Sequence, residues 1–338
     1  MTEMERFIAG LPKVELHVHI EGTFEPELML AIAARNGLAA PFPSVEDARA
    51  AYAFDDLQAF LDLYYAGMNV LLTARDFHDL TMAYLERAHA DNVRHAEIFF
   101  DPQAHTGRGV ALATVMEGIC GALDEGERRF GITTRLIPNF LRDLDEDSAL
   151  ACFEACLAHR ERICGFGLDS AERGHPPSKF ARVFARVRAE GFHVVAHAGE
   201  EGPAAYVTEA LDLLGAQRID HGVHAMDDDA VVQRLVAEKV VLTVCPLSNV
   251  RLRVAPDMAA HPLRAMFERG LKVCINSDDP PYFGGYIGDN YRAVQQALGF
   301  DQAALAAMTR HAIDGAFVDD GRRAALHRDL DAWAITKA

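Results

Sequence analysis

The sequence is short of cysteine, of long apolar runs and of positive charge, and each shortage excludes a class of protein. Six cysteines in 338 residues follow no C-x-x-C spacing, and Cys245 and Cys274 sit inside apolar segments. They read as small buried residues in a reducing compartment, not as a disulfide framework or a zinc–thiolate site. No apolar run approaches the ~18 residues that a membrane span needs. Met1 to Gly10 carries Glu3, Glu5 and Arg6 where a signal peptide would be apolar. The balance of 33 Lys+Arg against 50 Asp+Glu, a net charge of −17, argues against a nucleic-acid backbone or an anionic membrane as partner. A cytoplasmic protein is expected. No repeat, low-complexity tract or Ser/Gly-rich linker divides the chain, so one domain over 1–338 is expected.

What is present is an alternation. Short apolar or β-branched runs (14–19, 95–100, 133–140, 163–168, 193–198, 218–221, 240–245 and 271–276) are separated by longer helical patterns such as 26–36, 57–71, 111–129, 179–190, 203–214 and 262–269. Alternating strand and helix implies a parallel sheet, and eight such units over this length imply a (β/α)8 TIM barrel. The segment 38–60 is longer than an ordinary connection and carries Phe42, Tyr52, Phe54 and Phe60. It reads as a helical insertion after the first strand, set over the barrel mouth, or as a packed surface excursion.

Barrel enzymes carry their chemistry at the carboxyl ends of the strands. Those ends here hold His17 and His19, Asp101, Asn139, Asp169, His197, His221, Ser248 and Asn249, and Asp278 with Asp279. Asp, Asn and Ser are ordinary turn formers; four histidines are not. In His17-Val18-His19 the two imidazoles share a face of the strand. Three imidazoles and a carboxylate at one rim suit a divalent metal with a position left open for water.

Several motifs agree in order and spacing: Lys13 to Gly22 (KVELHVHIEG), His197-Ala198-Gly199-Glu200, Asp220-His221-Gly222, Cys245-Pro246-Leu247-Ser248-Asn249 and Asn276-Ser277-Asp278-Asp279-Pro280. Together they resemble the adenosine and AMP deaminases of the amidohydrolase superfamily, over nearly the whole chain. Within that family Gly167 to Phe180 and Asp278 to Tyr286 are most similar to the bacterial and fungal adenine deaminases. The resemblance implies that His17, His19, His197 and Asp278 bind one Zn2+. It makes Glu200 the proton donor, His221 the residue that orients and deprotonates the attacking water, and Asp279 a substrate ligand. Zinc lowers the pKa of bound water from 15.7 towards ~7, and a protonated Glu200 at N1 lets C6 of a purine become tetrahedral without charge building up on the ring. The fourth strand ends Leu168-Asp169-Ser170 and lacks the lysine that bridges two metals in some amidohydrolases, which favours a single ion.

The implied partner is a small purine base, with conversion of adenine to hypoxanthine and ammonia in purine salvage. Glu21 stands where adenosine deaminases have an Asp that meets the sugar, and its extra methylene would intrude on a ribose. Asp169, Ser170 and Glu172 are expected along the same edge of the base. Ala171, Ile20, Pro281 and Val250-Arg251-Leu252 depart from the adenine pattern, which leaves adenosine or an N6-substituted adenine open as alternatives. A non-catalytic metal- or purine-binding barrel is the alternative of another class.

Overall fold

Each of the eight apolar runs forms a strand in the computed structural model, which describes residues 1–54 and 56–335. Asp55, inside the expected insertion, and 336–338, at the end of the expected domain, lie outside the described residues. The strands are β1 (Lys13–Glu15), β2 (Val93–Phe100), β3 (Thr133–Leu141), β4 (Gly165–Asp169), β5 (His193–Ala198), β6 (Arg218–His221), β7 (Val241–Val244) and β8 (Lys272–Ile275). They pair in parallel in sequence order. The ring closes where Val18 bridges Asp278: the His19 amide donates to the Asp278 carbonyl, and the Asp278 amide to that of His17. The expected barrel is therefore present.

β1 is shorter than the apolar run that encodes it, for a backbone reason. From Leu16 onward the chain serves two neighbours. The Leu16 amide donates to Asn276 Oδ1 at 2.8 Å, and the Phe99 amide donates to the Val18 carbonyl. His17 and His19 thus sit on backbone gripped from both sides. Below them, buried Arg218 on β6 reaches Glu97 on β2 at 2.6 Å. Phe99, Ile137 and Val195 form an apolar cluster apart from the main core, and the Phe99 ring packs 5.0 Å from that of His17.

Helices Pro26–Arg35, Val45–Ala51, Leu57–Met68 and Ala74–Ala90 fill the stretch between β1 and β2. Pro26 starts the first of them and Asn36 caps it, residues suited to a helix's first position and its end. Aromatic side chains fasten this excursion to the short helix Pro280–Phe283 that follows β8. Tyr52 lies on Tyr282 with ring centres 4.4 Å apart, and Phe60 lies on Phe283 at 4.8 Å. The insertion covers the carboxyl ends of the strands. No helix among the described residues is long and apolar enough to cross a membrane.

Candidate active site

Four donor atoms converge under the insertion. His19 Nε2 lies 3.2 Å from His197 Nε2, and Asp278 Oδ1 lies 3.3 Å from His17 Nε2 and 3.5 Å from His19 Nε2. Ligands held in a tetrahedron at the 2.0–2.1 Å typical of zinc stand about 3.3 Å apart. Hydrogen bonding among these groups leaves His17 Nε2 buried without a partner. Its tautomer is fixed from behind. The Thr243 hydroxyl donates to Asp220 Oδ1 at 2.8 Å, so its oxygen accepts from His17 Nδ1–H at 3.0 Å. The Nε2 lone pair is thereby aimed at the centre of the cluster, the support expected behind a metal-ligating histidine. The residues fit a divalent cation. Asp278 (φ 65°), like His221 (φ 63°) and Ser170 (φ 72°), holds a left-handed backbone conformation, a strained arrangement that gathers at functional sites.

The acid side is built on β5. Beyond His197 the chain turns at Gly199, whose φ of 71° favours glycine and where a Cβ would approach Val207 to 2.9 Å. The turn is held by Glu172, whose carboxylate accepts the amides of Gly199, Glu200, Glu201 and Gly202 at 2.7–3.0 Å. The sequence places Glu172 along the base; the structure occupies both its oxygens with backbone amides and leaves it off the cavity wall. Glu200 projects from this turn, with Oε1 3.5 Å from His221 Nε2. Burial, then the neighbouring Asp278 and Glu172 carboxylates, pushes the Glu200 carboxyl well above the usual range. Asp279 is raised in the same direction by burial and by Asp278, and its Oδ1 is buried without a partner.

A cavity opens over these groups, with about 40 Å³ of room for the centre of a water-sized sphere. His19, His197, Glu200, His221, Asp278 and Asp279 line its deep side, and Leu57, Phe60, Leu61, Tyr64 and Tyr65 of the insertion line its roof. Asp169 and Ser170 also line it, as the sequence indicates. Glu21 does not: one of its oxygens accepts from the Asp101 amide at 3.1 Å and from His105 Nε2 at 2.7 Å. Its neighbour Asp101 lines the cavity, with Oδ1 buried and unpartnered. Tyr64 donates to Asp101 Oδ2 at 3.3 Å, and Tyr65 donates to Ser170 Oγ at 3.2 Å.

A profile of the adenosine deaminase family matches residues 12–333. The chain belongs to the adenosine deaminase family. Among its relatives in this family, an adenine deaminase of Rhodospirillum rubrum is 59% identical over 326 residues, 96% of this chain and 98% of that protein. A crystal structure of an adenine deaminase from Arthrobacter aurescens superposes with a TM-score of 0.94 at 55% identity, covering 96% and 99% of the two chains. An amidohydrolase from Burkholderia ambifaria, solved with bound Zn, gives a TM-score of 0.91 at 33% identity, covering 100% and 95%. Tyr64, Tyr65 and Thr243, which bond the groups around the cavity and the cluster, fall in no sequence motif, whereas Asp220 stands in Asp220-His221-Gly222. Asp101 ends β2 and was visible as a strand end. The two tyrosines carry only the signal of adjacent aromatics in an insertion.

Proposed function

We propose that the protein hydrolyses the C6–amino bond of adenine, releasing hypoxanthine and ammonia, as a cytoplasmic enzyme of purine salvage. The observation that carries the reading is the convergence of His17, His19, His197 and Asp278, with His19–His197, His17–Asp278 and His19–Asp278 at 3.2–3.5 Å, beside a buried Glu200 whose carboxyl is pushed well above the usual range. Those four residues would hold one Zn2+, in keeping with their N/O donor set. The ion, when bound, supplies water of pKa about 7 and so a nucleophile at neutral pH.

The remaining work falls to the chain. Glu200 gives its carboxyl proton to N1 as C6 becomes tetrahedral, which keeps the ring from accumulating negative charge. His221 bonds the attacking water and holds it towards C6, and Asp279 bonds N7. Of the two protons of the water, one restores the Glu200 carboxyl and the other leaves on the amino group as ammonia, so adenine and water balance hypoxanthine and ammonia. With N1 at Glu200 just beyond β5 and N7 at Asp279 just beyond β8, the order of strands around the ring turns N3 towards β4 and N9 towards β2. Tyr65 occupies the Ser170 oxygen as donor, so Ser170 keeps its own proton for N3. Tyr64 leaves Asp101 Oδ1 to accept from N9–H. A nucleoside has a sugar at N9 and no proton to give, which favours the free base over adenosine.

Ammonia release from adenine, N6-methyladenine, 9-methyladenine and adenosine, with metal content measured on the same sample, tests the reading. Adenine should exceed the N9-substituted compounds by about 100-fold or more in kcat/KM. Comparable values for adenosine and adenine would overturn the free-base assignment, and no ammonia from any purine would overturn deamination.

A further inference from the structure

His221 is backed by a chain of hydrogen bonds that ends on a group with no freedom of choice. The Leu263 amide, in the first turn of the helix Leu263–Glu268, donates to His261 Nδ1 at 3.0 Å. A backbone N–H can only donate, so Nδ1 is an acceptor and the proton of a neutral His261 is on Nε2. Burial pushes the His261 pKa down to about 4, which keeps the ring neutral near pH 7. His261 Nε2–H therefore donates to Asn249 Oδ1 at 3.1 Å. That fixes which way the Asn249 amide points: its Nδ2–H faces His221 Nδ1 at 3.3 Å. Reversing the amide would require His261 to present Nδ1–H to the Leu263 N–H, donor against donor. All three side chains are buried, so solvent does not relieve such a mismatch.

We infer that His261 and Asn249 are positioning residues that lock neutral His221 in the tautomer carrying its proton on Nε2, the nitrogen facing the cavity. The surroundings of that nitrogen agree, since the ionised Asp278 carboxylate places Oδ2 3.8 Å from it. An Nε2–H imidazole is a donor towards the attacking oxygen and has no lone pair there with which to take its proton. The expectation that His221 deprotonates the water is thereby replaced: His221 orients the nucleophile by donating to it. Only this catalytic consequence rests on the deaminase reading; the tautomer does not.

The tautomer is directly readable by two-bond and three-bond 1H–15N correlations on the full chain labelled with 15N-histidine, with His221→Gln assigning the resonances. The wild type should show protonated Nε2 and bare Nδ1 at His221. Asn249→Asp puts an acceptor behind Nδ1 and should reverse the pattern, with kcat falling about 10²- to 10⁴-fold, the scale known for a misplaced catalytic-histidine tautomer. His261→Gln reaches Asn249 with a donor and should keep the tautomer and kcat within about threefold. His261→Asn reaches only the Leu263 amide and should lose both, although it serves the helix better. Equal loss in the Gln and Asn variants, or a wild-type His221 protonated on Nδ1, would overturn the inference. A protein with the assigned tautomer that releases no ammonia from adenine would leave the inference standing and remove the deaminase reading.

Discussion

Glu172→Gln is the substitution that most sharply separates positioning from substrate contact. One carboxylate oxygen accepts the Gly199 amide, and the other accepts those of Glu200, Glu201 and Gly202. Glutamine offers one acceptor oxygen and one NH2. Kept on the three-amide side, that oxygen leaves NH2 facing the Gly199 N–H, donor against donor. It also removes the negative charge from all four bonds. A hydrogen bond to a charged group contributes about 1.5–3 kcal/mol, and a buried donor left without a partner costs about 1–3 kcal/mol. The turn carrying Glu200 should therefore lose about 2–4 kcal/mol of its hold. A displacement of about 1 Å at an acid catalyst lowers turnover by about 100-fold. Steady-state kinetics on adenine should show that loss in kcat with KM changed less than about threefold, and zinc content unaltered. A raised KM with kcat intact would return Glu172 to the base. Unchanged kinetics would mean that the turn is held by other contacts.

Three further outcomes follow from single features. Asp76 accepts from Arg35, from Asn36 Nδ2 at 2.8 Å and from the Leu72 and Thr73 amides; burial opposes its ionisation, but these donors bring its pKa down to about 2. Its folded pKa lies below the unfolded value of about 3.9, so its contribution of about 2 kcal/mol is complete above about pH 4 and is lost as pH falls towards 2. Asp76→Asn should remove it at neutral pH, and urea titrations of variant and wild type should converge at low pH. A Cβ on Gly22 would run into Asp279 Oδ1, so Gly22→Ala should raise KM for adenine about tenfold or more at unchanged metal content; an unaltered KM would detach Asp279 from substrate. Asp101→Ala should narrow the adenine to 9-methyladenine ratio in kcat/KM by about 10- to 100-fold, and a ratio that stays constant while both fall would assign Asp101 a structural role.

The barrel was legible because strand and helix alternate eight times with residue types that agree with the pattern at every step. β5 and β6 match their apolar runs end to end, and β1 does not, because beyond Glu15 its backbone divides between β8 and β2. The His/Asp cluster was legible for another reason: turn chemistry accounts for Asp, Asn and Ser at strand ends but not for histidine. The sequence sets Glu172 and Glu21 along the base, while the structure gives both partners that carry no side-chain signature. Glu172 is held by four backbone amides, and Glu21 by one amide and His105, 84 residues away in sequence. Neither arrangement leaves a local pattern. Asn249 falls in the recognised Cys245–Asn249 motif, yet its function is visible only through His261, which lies 12 residues on and outside any motif.

The central claim is that a cation held by His17, His19, His197 and Asp278 and an acid at Glu200 together deaminate adenine. The most direct measurement is ammonia and hypoxanthine formation from adenine by the wild type and by Glu200→Gln, with zinc quantified in both samples. The account predicts one zinc per chain in each, equimolar products from the wild type, and a loss of about 10²- to 10⁴-fold in the variant. A metal-replete wild type that leaves adenine unchanged, or a Glu200→Gln variant with near-normal turnover, would contradict it.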